Sequence, residues 1–308
     1  MNVLSLFDGI SCGLVALKRA GIKVDNYYAS EIDKWAIQTS EKNYPEIVRL
    51  GDIENCPEWN LPKIDMIIGG PPCQGFSMAG KRLNWDDPRS QLFYKAIELI
   101  HDLKPKYFLI ENVRMKKEIR KELDDFLGVE SIEINSALVS AQYRNRLYWT
   151  NIEGIEQPKD KGLVLKDIIE DGAVDRDKTF CLDANYFKGG NLKSYFEKHR
   201  RQLVFSGCAL TGEADIKTYD LNKRTYGQLG KCPTVRAGTG GHHEPKMTLP
   251  PNKWRKLTPL ECERLQTLPD DYTFGVSNTQ RYKSIGNGWT VDVIVHIFNR
   301  LKEIRDGN

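Results

Sequence analysis

Short apolar runs alternate with polar, helix-spaced segments through the first half of the chain. Val3 to Phe7, Tyr27 to Ser30, Ile47 to Leu50, Ile64 to Ile68, Tyr107 to Ile110 and Leu147 to Thr150 each read as a strand. Between them, about Gly13 to Ala20, the stretch from Asp33 through Asn43, and Ser90 to Leu103 carry apolar residues at helical spacing. In the last of these, Leu92, Ala96, Leu99, Ile100 and Leu103 fall on one stripe, and Asp33 stands where a helix cap is expected. This rhythm predicts an α/β fold: a doubly wound, mostly parallel sheet with helices on both faces.

After about Asn151 the pattern changes to glycines, turn residues and scattered aromatics, with short candidate strands at Leu203 to Phe205 and Thr234 to Arg236. A second, smaller, strand-rich unit is expected there. Thr258-Pro259, with Glu261 three residues beyond the threonine, predicts a capped helix through Leu265. The stripe Val291, Ile294, Val295, Phe298 and Leu301 predicts a last helix, Thr290 to Ile304, that packs back on the first unit. The expected division is 1–152 plus 280–308 for the first unit and 153–279 for the second.

Composition adds two points. The 308 residues are 40% hydrophobic and 28% charged, ordinary for a globular protein, and no apolar run is long enough to span a bilayer. Seven cysteines without a Cys-x-x-Cys pair argue against a disulfide framework or a zinc site and for a reducing, cytoplasmic setting. The net charge of +3 hides an asymmetry: Tyr186 to Lys256 holds 14 Lys and Arg against 5 Asp and Glu, so the remainder is net acidic. The basic block is either a solvated face or a surface for a polyanion.

The candidate chemistry gathers at strand ends. Gly69-Gly70-Pro71-Pro72-Cys73-Gln74-Gly75-Phe76-Ser77 stops a strand abruptly and puts Cys73 at its carboxyl end, where open α/β sheets keep their sites. Phe7-Asp8-Gly9-Ile10-Ser11-Cys12-Gly13 is a glycine turn opening a helix, able to bring a ligand close to backbone N–H groups. Glu31 ends the second strand, placed for ribose hydroxyls, and Asp52 follows the third, placed for an adenine amino group; either acid is otherwise a cap or a surface charge. Glu111-Asn112-Val113 brings a carboxylate to the same sheet edge as Cys73. In Gln142-Tyr143-Arg144-Asn145-Arg146 the two arginines, two apart on extended chain, share a face suited to an anion or a base edge.

Taken in order with Arg255-Lys256-Leu257-Thr258-Pro259-Leu260-Glu261 and Gly286-Asn287-Gly288-Trp289-Thr290-Val291, these motifs resemble the cytosine-5 DNA methyltransferase family over nearly the whole chain. The Asp8 glycine turn is closest to animal de novo enzymes and some phage and bacterial relatives. Ser11-Cys12 stands where many members have Gly-Gly, and Gly288-Trp289 where many have Ser-Val; Tyr143 and Asn145 replace residues that are often charged.

The resemblance implies a Rossmann-like catalytic domain that binds S-adenosyl-L-methionine, releases S-adenosyl-L-homocysteine and uses no metal, with a target-recognition domain across a cleft. Cys73 is then the nucleophile for C6 of a flipped-out cytosine in duplex DNA, Glu111 the partner of its N3 edge, Arg146 of its O2, and Arg144 a support. Phe7, Asp8, Gly9, Ile10, Ser11, Glu31, Ile32, Asp52, Ile53, Pro72, Leu92, Asn287 and Gly288 would surround the cofactor. Gln74, Ser77, Arg224, Gln228, Thr234 and Arg236 would meet DNA, Lys193, Lys198, Arg200 and Arg201 its phosphates, and 74–89 would form a lid. The implied partners are double-stranded DNA, bound by a monomer, and a cognate restriction endonuclease. Cytosine in transfer RNA is the alternative substrate. An inactive DNA-binding regulator is disfavoured because Cys73, Glu111 and both arginines are kept.

Overall fold

The computed structural model describes residues 1–72, 88–206, 210–213, 224–226, 246–247 and 253–307. Its first half builds β1 (Asn2–Leu6), α1 (Cys12–Arg19), β2 (Asn26–Ser30), α2 (Lys34–Asn43), β3 (Val48–Gly51), β4 (Met66–Gly69), α3 (Pro88–Leu103), β5 (Tyr107–Val113), α4 (Lys117–Leu127), β6 (Ile132–Asn135) and β7 (Asn145–Thr150). The seven strands form one sheet in the order β3-β2-β1-β4-β5-β7-β6, parallel except for β7, which runs antiparallel to both neighbours. The expected doubly wound architecture is present.

Side-chain alternation assigns the two faces. Val3, Met66, Ile68, Leu109 and Tyr148 join one buried cluster with residues of α1, while Leu4, Leu6, Ile67, Ile110 and Trp149 join another with residues of α3 and α4. Asp33 caps α2 as expected, its carboxylate accepting from the N–H groups of Trp35 and Ala36. α4, β6 and a helix at Asn278–Asn287 were not among the elements expected from the sequence.

Beyond β7 the chain is irregular, with α5 (Leu192–Phe196), β8 (Leu203–Ser206), β9 (Leu210–Glu213), β10 (Arg224–Tyr226), β11 (Lys246–Met247) and β12 (Lys253–Lys256). These strands make two small sheets, β11-β10-β9 and β12-β8. The candidate strand Thr234 to Arg236 lies outside the described residues. α6 (Pro259–Leu265) carries the full reciprocal cap between Thr258 and Glu261, and α7 (Asn278–Asn287) leads into α8 (Val291–Asp306). The α8 stripe, Val291, Ile294, Phe298 and Leu301, is buried against the α1 side of the sheet.

Candidate active site at the carboxyl edge of the sheet

The strand order reverses between β1 and β4, and open α/β sheets bind ligands outside the strand ends at such a point. A cavity of ≈ 360 Å³ opens there. Its wall begins with the turn after β1, where Phe7, Gly9 and Ser11 have φ of 56°, 59° and 60°. Alternate left-handed residues turn successive N–H groups toward one concave side, a backbone shape suited to an anion or a polar ligand.

Acidic side chains hold this turn. Glu31 Oε2 accepts from Gly9 N at 2.7 Å, while Oε1 accepts from Ile32 N and Asp33 N, both at 2.8 Å. Beneath the turn, the Asp8 carboxylate accepts from Tyr27 OH at 2.8 Å and from Ser11 Oγ at 2.5 Å. Complete burial is the main influence on Asp8 and raises its pKa above the usual carboxylate value, against these bonds and the Arg49 charge. Asp52 caps the turn of 3₁₀ helix at Ile53–Glu58, accepting from Glu54 N at 3.1 Å, and lines the cavity as well.

The opposite wall belongs to the ends of β4, β5 and β7. Asn112 donates from Nδ2 to Pro71 O at 3.1 Å, fixing the start of the Pro-Pro segment. Arg146 Nε pairs with Glu111 Oε1 at 2.9 Å, both side chains nearly buried. Arg144 is spent on backbone carbonyls, donating to Leu182 O and Gly288 O at 2.9 Å each. It thereby ties the turn after α7 to the segment around residue 182.

Of the residues expected around a cofactor, Phe7, Asp8, Gly9, Glu31, Ile32, Asp52, Ile53, Pro72, Leu92, Asn287 and Gly288 line this cavity, as do Glu111, Arg144 and Arg146. Ile10 and Ser11 do not; both are buried beneath the turn, Ile10 in the core and Ser11 at the head of α1. Cys73, Gln74, Ser77, Gln228, Thr234 and Arg236 lie outside the described residues, and so does nearly all of the expected lid. Arg224 starts β10. Arg201, expected on phosphate, turns inward: its side chain is 11% exposed, with Nε 3.9 Å from Asp183. Lys193, Lys198 and Arg200 are exposed.

Asp33, Lys283 and Trp289 also line the cavity, though none was expected around a cofactor. Asp33 and Lys283 pair at 2.5 Å across the cavity, joining α2 to α7. Trp289 closes the floor: a Cβ on Gly70 would lie 2.9 Å from its Nε1, and one on Gly13 would lie 3.5 Å from its ring. Only the Trp289 departure from the usual motif could have signalled any of these.

The residues present suit an adenosyl sulfonium cofactor. An acid stands at the end of β2, a second acid and the apolar Ile53 after β3, and the nest of N–H groups after β1, all opening on one cavity. Among the described residues no group of three or more His, Cys, Asp or Glu is placed to hold a metal ion, and no helix is long and apolar enough to cross a membrane.

Comparison with known proteins agrees with this geometry. A family model for C-5 cytosine-specific DNA methylase matches residues 1–303. The Type II methyltransferase M.FnuDI of Fusobacterium nucleatum is 30% identical over 335 residues, covering 98% of this chain and 94% of its own. The Type II methyltransferase M1.ScrFI of Lactococcus lactis subsp. cremoris is 30% identical over 328 residues, covering 98% and 78%. In fold, the Entamoeba histolytica methyltransferase EhMeth superposes with a TM-score of 0.70 at 18% identity, over 99% of this chain and 98% of its own.

Proposed function

Because the chain belongs to the C-5 cytosine-specific DNA methylase family, we propose that its cavity performs cytosine-5 methylation of duplex DNA through a covalent Cys73 intermediate. The observation that carries this reading is the Glu111–Arg146 pair, which opens into the same cavity as the acid-braced glycine turn and the Pro71-Pro72 segment leading to Cys73. Family membership implies S-adenosyl-L-methionine as cofactor. When bound, it supplies an electrophilic methyl group and leaves as S-adenosyl-L-homocysteine.

Glu31 would hold the ribose, Asp52 and Ile53 the adenine, and the N–H groups after β1 the amino-acid end, with Asn287, Gly288 and Leu92 closing around them. Pro72 would border both cofactor and target base. Cys73 adds to C6 of the cytosine, which converts an unreactive ring into an enamine with a nucleophilic C5; a thiolate suits both the attack and the later departure. Glu111 hydrogen-bonds the N3 edge and Arg146 the O2, drawing charge from the ring as sulfur adds. Arg144 positions rather than reacts, since its donors already serve backbone carbonyls.

A ring inside a duplex offers neither face to a thiol, so the base must leave the stack. Residues 1–152 with 280–308 would form the S-adenosylmethionine-binding catalytic domain and 153–279 the target-recognition domain, its basic block meeting phosphates. A restriction endonuclease as functional partner fits the Type II names of the relatives. Expression in a methylation-free host, with bisulfite sequencing of genomic DNA and of transfer RNA, tests the reading. Methylcytosine in one DNA sequence context is expected. Its absence from DNA, or its presence in RNA alone, would overturn it.

A further inference from the structure

We propose that Cys181 is a positioning residue for this reaction: its sulfur accepts from both guanidinium groups of the Arg144-x-Arg146 pair and keeps Arg146 turned toward Glu111. The inference rests on the methylation reading above. Arg144 Nη1 lies 3.5 Å and Arg146 Nη2 3.8 Å from Cys181 Sγ. Arg146 has two further anchors: Nη1 donates to Asn145 O at 2.8 Å, within its own strand, and Nε meets Glu111 at 2.9 Å. Asn145 O holds one terminal nitrogen from within the strand, and the other is left to Cys181. Cys181 arrives from outside the large sheet.

The segment bearing Cys181 is itself held. Gln142 and Thr179 form an isolated parallel bridge, Thr179 N donates to Ala141 O at 2.8 Å, and Tyr143 N donates to Thr179 O at 2.9 Å. Arg144 Nη1 adds its bond to Leu182 O. The sulfur is therefore delivered to the arginines by backbone pairing with the segment that runs into them just before β7.

Charge reinforces the geometry. Burial acts first on this thiol and would raise its pKa, but Arg144 and Arg146 outweigh it and hold the value below that of an ordinary cysteine. Glu111 stands beyond Arg146, and Asp183, two residues on, faces Arg201.

Two measurements on the full-length protein test this. Site-resolved alkylation by iodoacetamide across pH, read by mass spectrometry, should give a Cys181 midpoint below the ~8.5 of a free thiol. A midpoint at or above that value would overturn the inference without any variant being made. Methylation of genomic DNA from a methylation-free host, with radiolabelled cofactor, should then show Cys181→Ala lowering kcat about tenfold with an unchanged KM for cofactor. Cys181→Ser, which keeps an acceptor, should recover most of the loss. Wild-type kcat in the alanine variant, or equal losses in both, would reject the positioning role. Arg146→Ala is the reference arm: if the wild type does not methylate DNA, the methylation reading fails, whereas if the wild type methylates and Arg146→Ala matches it, the role given to Arg146 and the present inference fall together. If both behave as expected and Cys181→Ala is indistinguishable from wild type, only the present inference falls.

Discussion

At the scale of single residues, two departures from the family pattern touch each other. A Cβ on Gly288 would come within 3.2 Å of Cys12 Sγ. Sulfur on α1 thus occupies space that a side chain at position 288 would need, while glycine at 288 leaves it free. Gly288→Ser alone should destabilise the fold by ~1–3 kcal/mol through overpacking, and Cys12→Gly with Gly288→Ser should recover much of that. Thermal melts of the two single variants and the double variant check it: additive losses would show that the sites are independent. Chemistry gives the second prediction at this scale. Cys73→Ser should abolish methyl transfer and spare DNA binding, because a hydroxyl near neutral pH is a poor nucleophile of almost the same shape. Trapping on 5-fluorocytosine DNA should be lost with it; a trapped serine variant would remove Cys73 from the nucleophile role. Glu31→Ala should weaken cofactor binding by calorimetry roughly ten- to a hundredfold, since it removes a charged acceptor, the bond from Gly9 N that braces the turn, and two bonds from Ile32 N and Asp33 N. Unchanged affinity would contradict the pocket assignment.

At the scale of elements, α2 depends on Asp33 at its start and on the Lys283 contact reaching over from α7. Burial opposes ionisation of Asp33, but Lys283 and the N–H groups of Trp35 and Ala36 prevail, and its carboxyl sits below the usual aspartate value. A carboxyl lowered in the folded state stabilises fully above its unfolded value, near ~3.9, and loses that contribution as pH falls through the folded value. Asp33→Asn, which can still cap, should therefore flatten the acid limb of the stability profile. Asp33→Ala should cost about 1 kcal/mol at neutral pH in addition. Chemical denaturation from acid to neutral pH reads both; an unchanged acid limb in Asp33→Asn would mean that the ion pair contributes nothing. The late motif acts at this scale too. Arg255 reaches the buried Glu261 of α6 at 2.8 Å, and Gln266 Nε2 donates to Gly288 O at 3.0 Å, so residues far along the chain set the turn that closes the cavity.

At the scale of the whole molecule, the basic block is the proposed meeting place with DNA phosphates. Arg200→Ala should weaken all DNA sequences alike and flatten the salt dependence. Arg201, paired with Asp183 and mostly buried, should instead change stability more than salt dependence when replaced. Arg224→Ala should relax the target at one base position, with a discrimination loss of ~1–3 kcal/mol. Methylation profiles on a randomised library decide this, and an unchanged sequence preference would return Arg224 to the backbone-contact class.

The sequence determined the sheet and which polar residues stand near its strand ends because both are locally encoded. Strands buried on two faces read as unbroken apolar runs, as in Met66 to Ile68, and residues that follow such runs in parallel strands reach the carboxyl edge. The positions of Glu31, Asp52 and Glu111 at that edge were therefore legible before any fold was known, whereas Arg146 precedes its apolar run and reaches the edge because β7 runs antiparallel. Helix starts at Asp33 and Thr258 were legible for the same reason, since a cap satisfies backbone N–H groups within three residues of itself. α4 was not: most of its residues are charged, and only Leu123 and Leu127 are buried. Tertiary structure alone decided what lies far apart in sequence and close in space. Ser11 points into a buried network rather than the cavity, Arg201 finds Asp183, Lys283 crosses to Asp33, and Cys181 meets both arginines. None of these follows from periodicity or spacing: Ser11 depends on how Asp8 and Ser40 of α2 meet beneath the turn, and the others on how the chain beyond β7 folds back on the sheet, a path set by packing and hydrogen bonding.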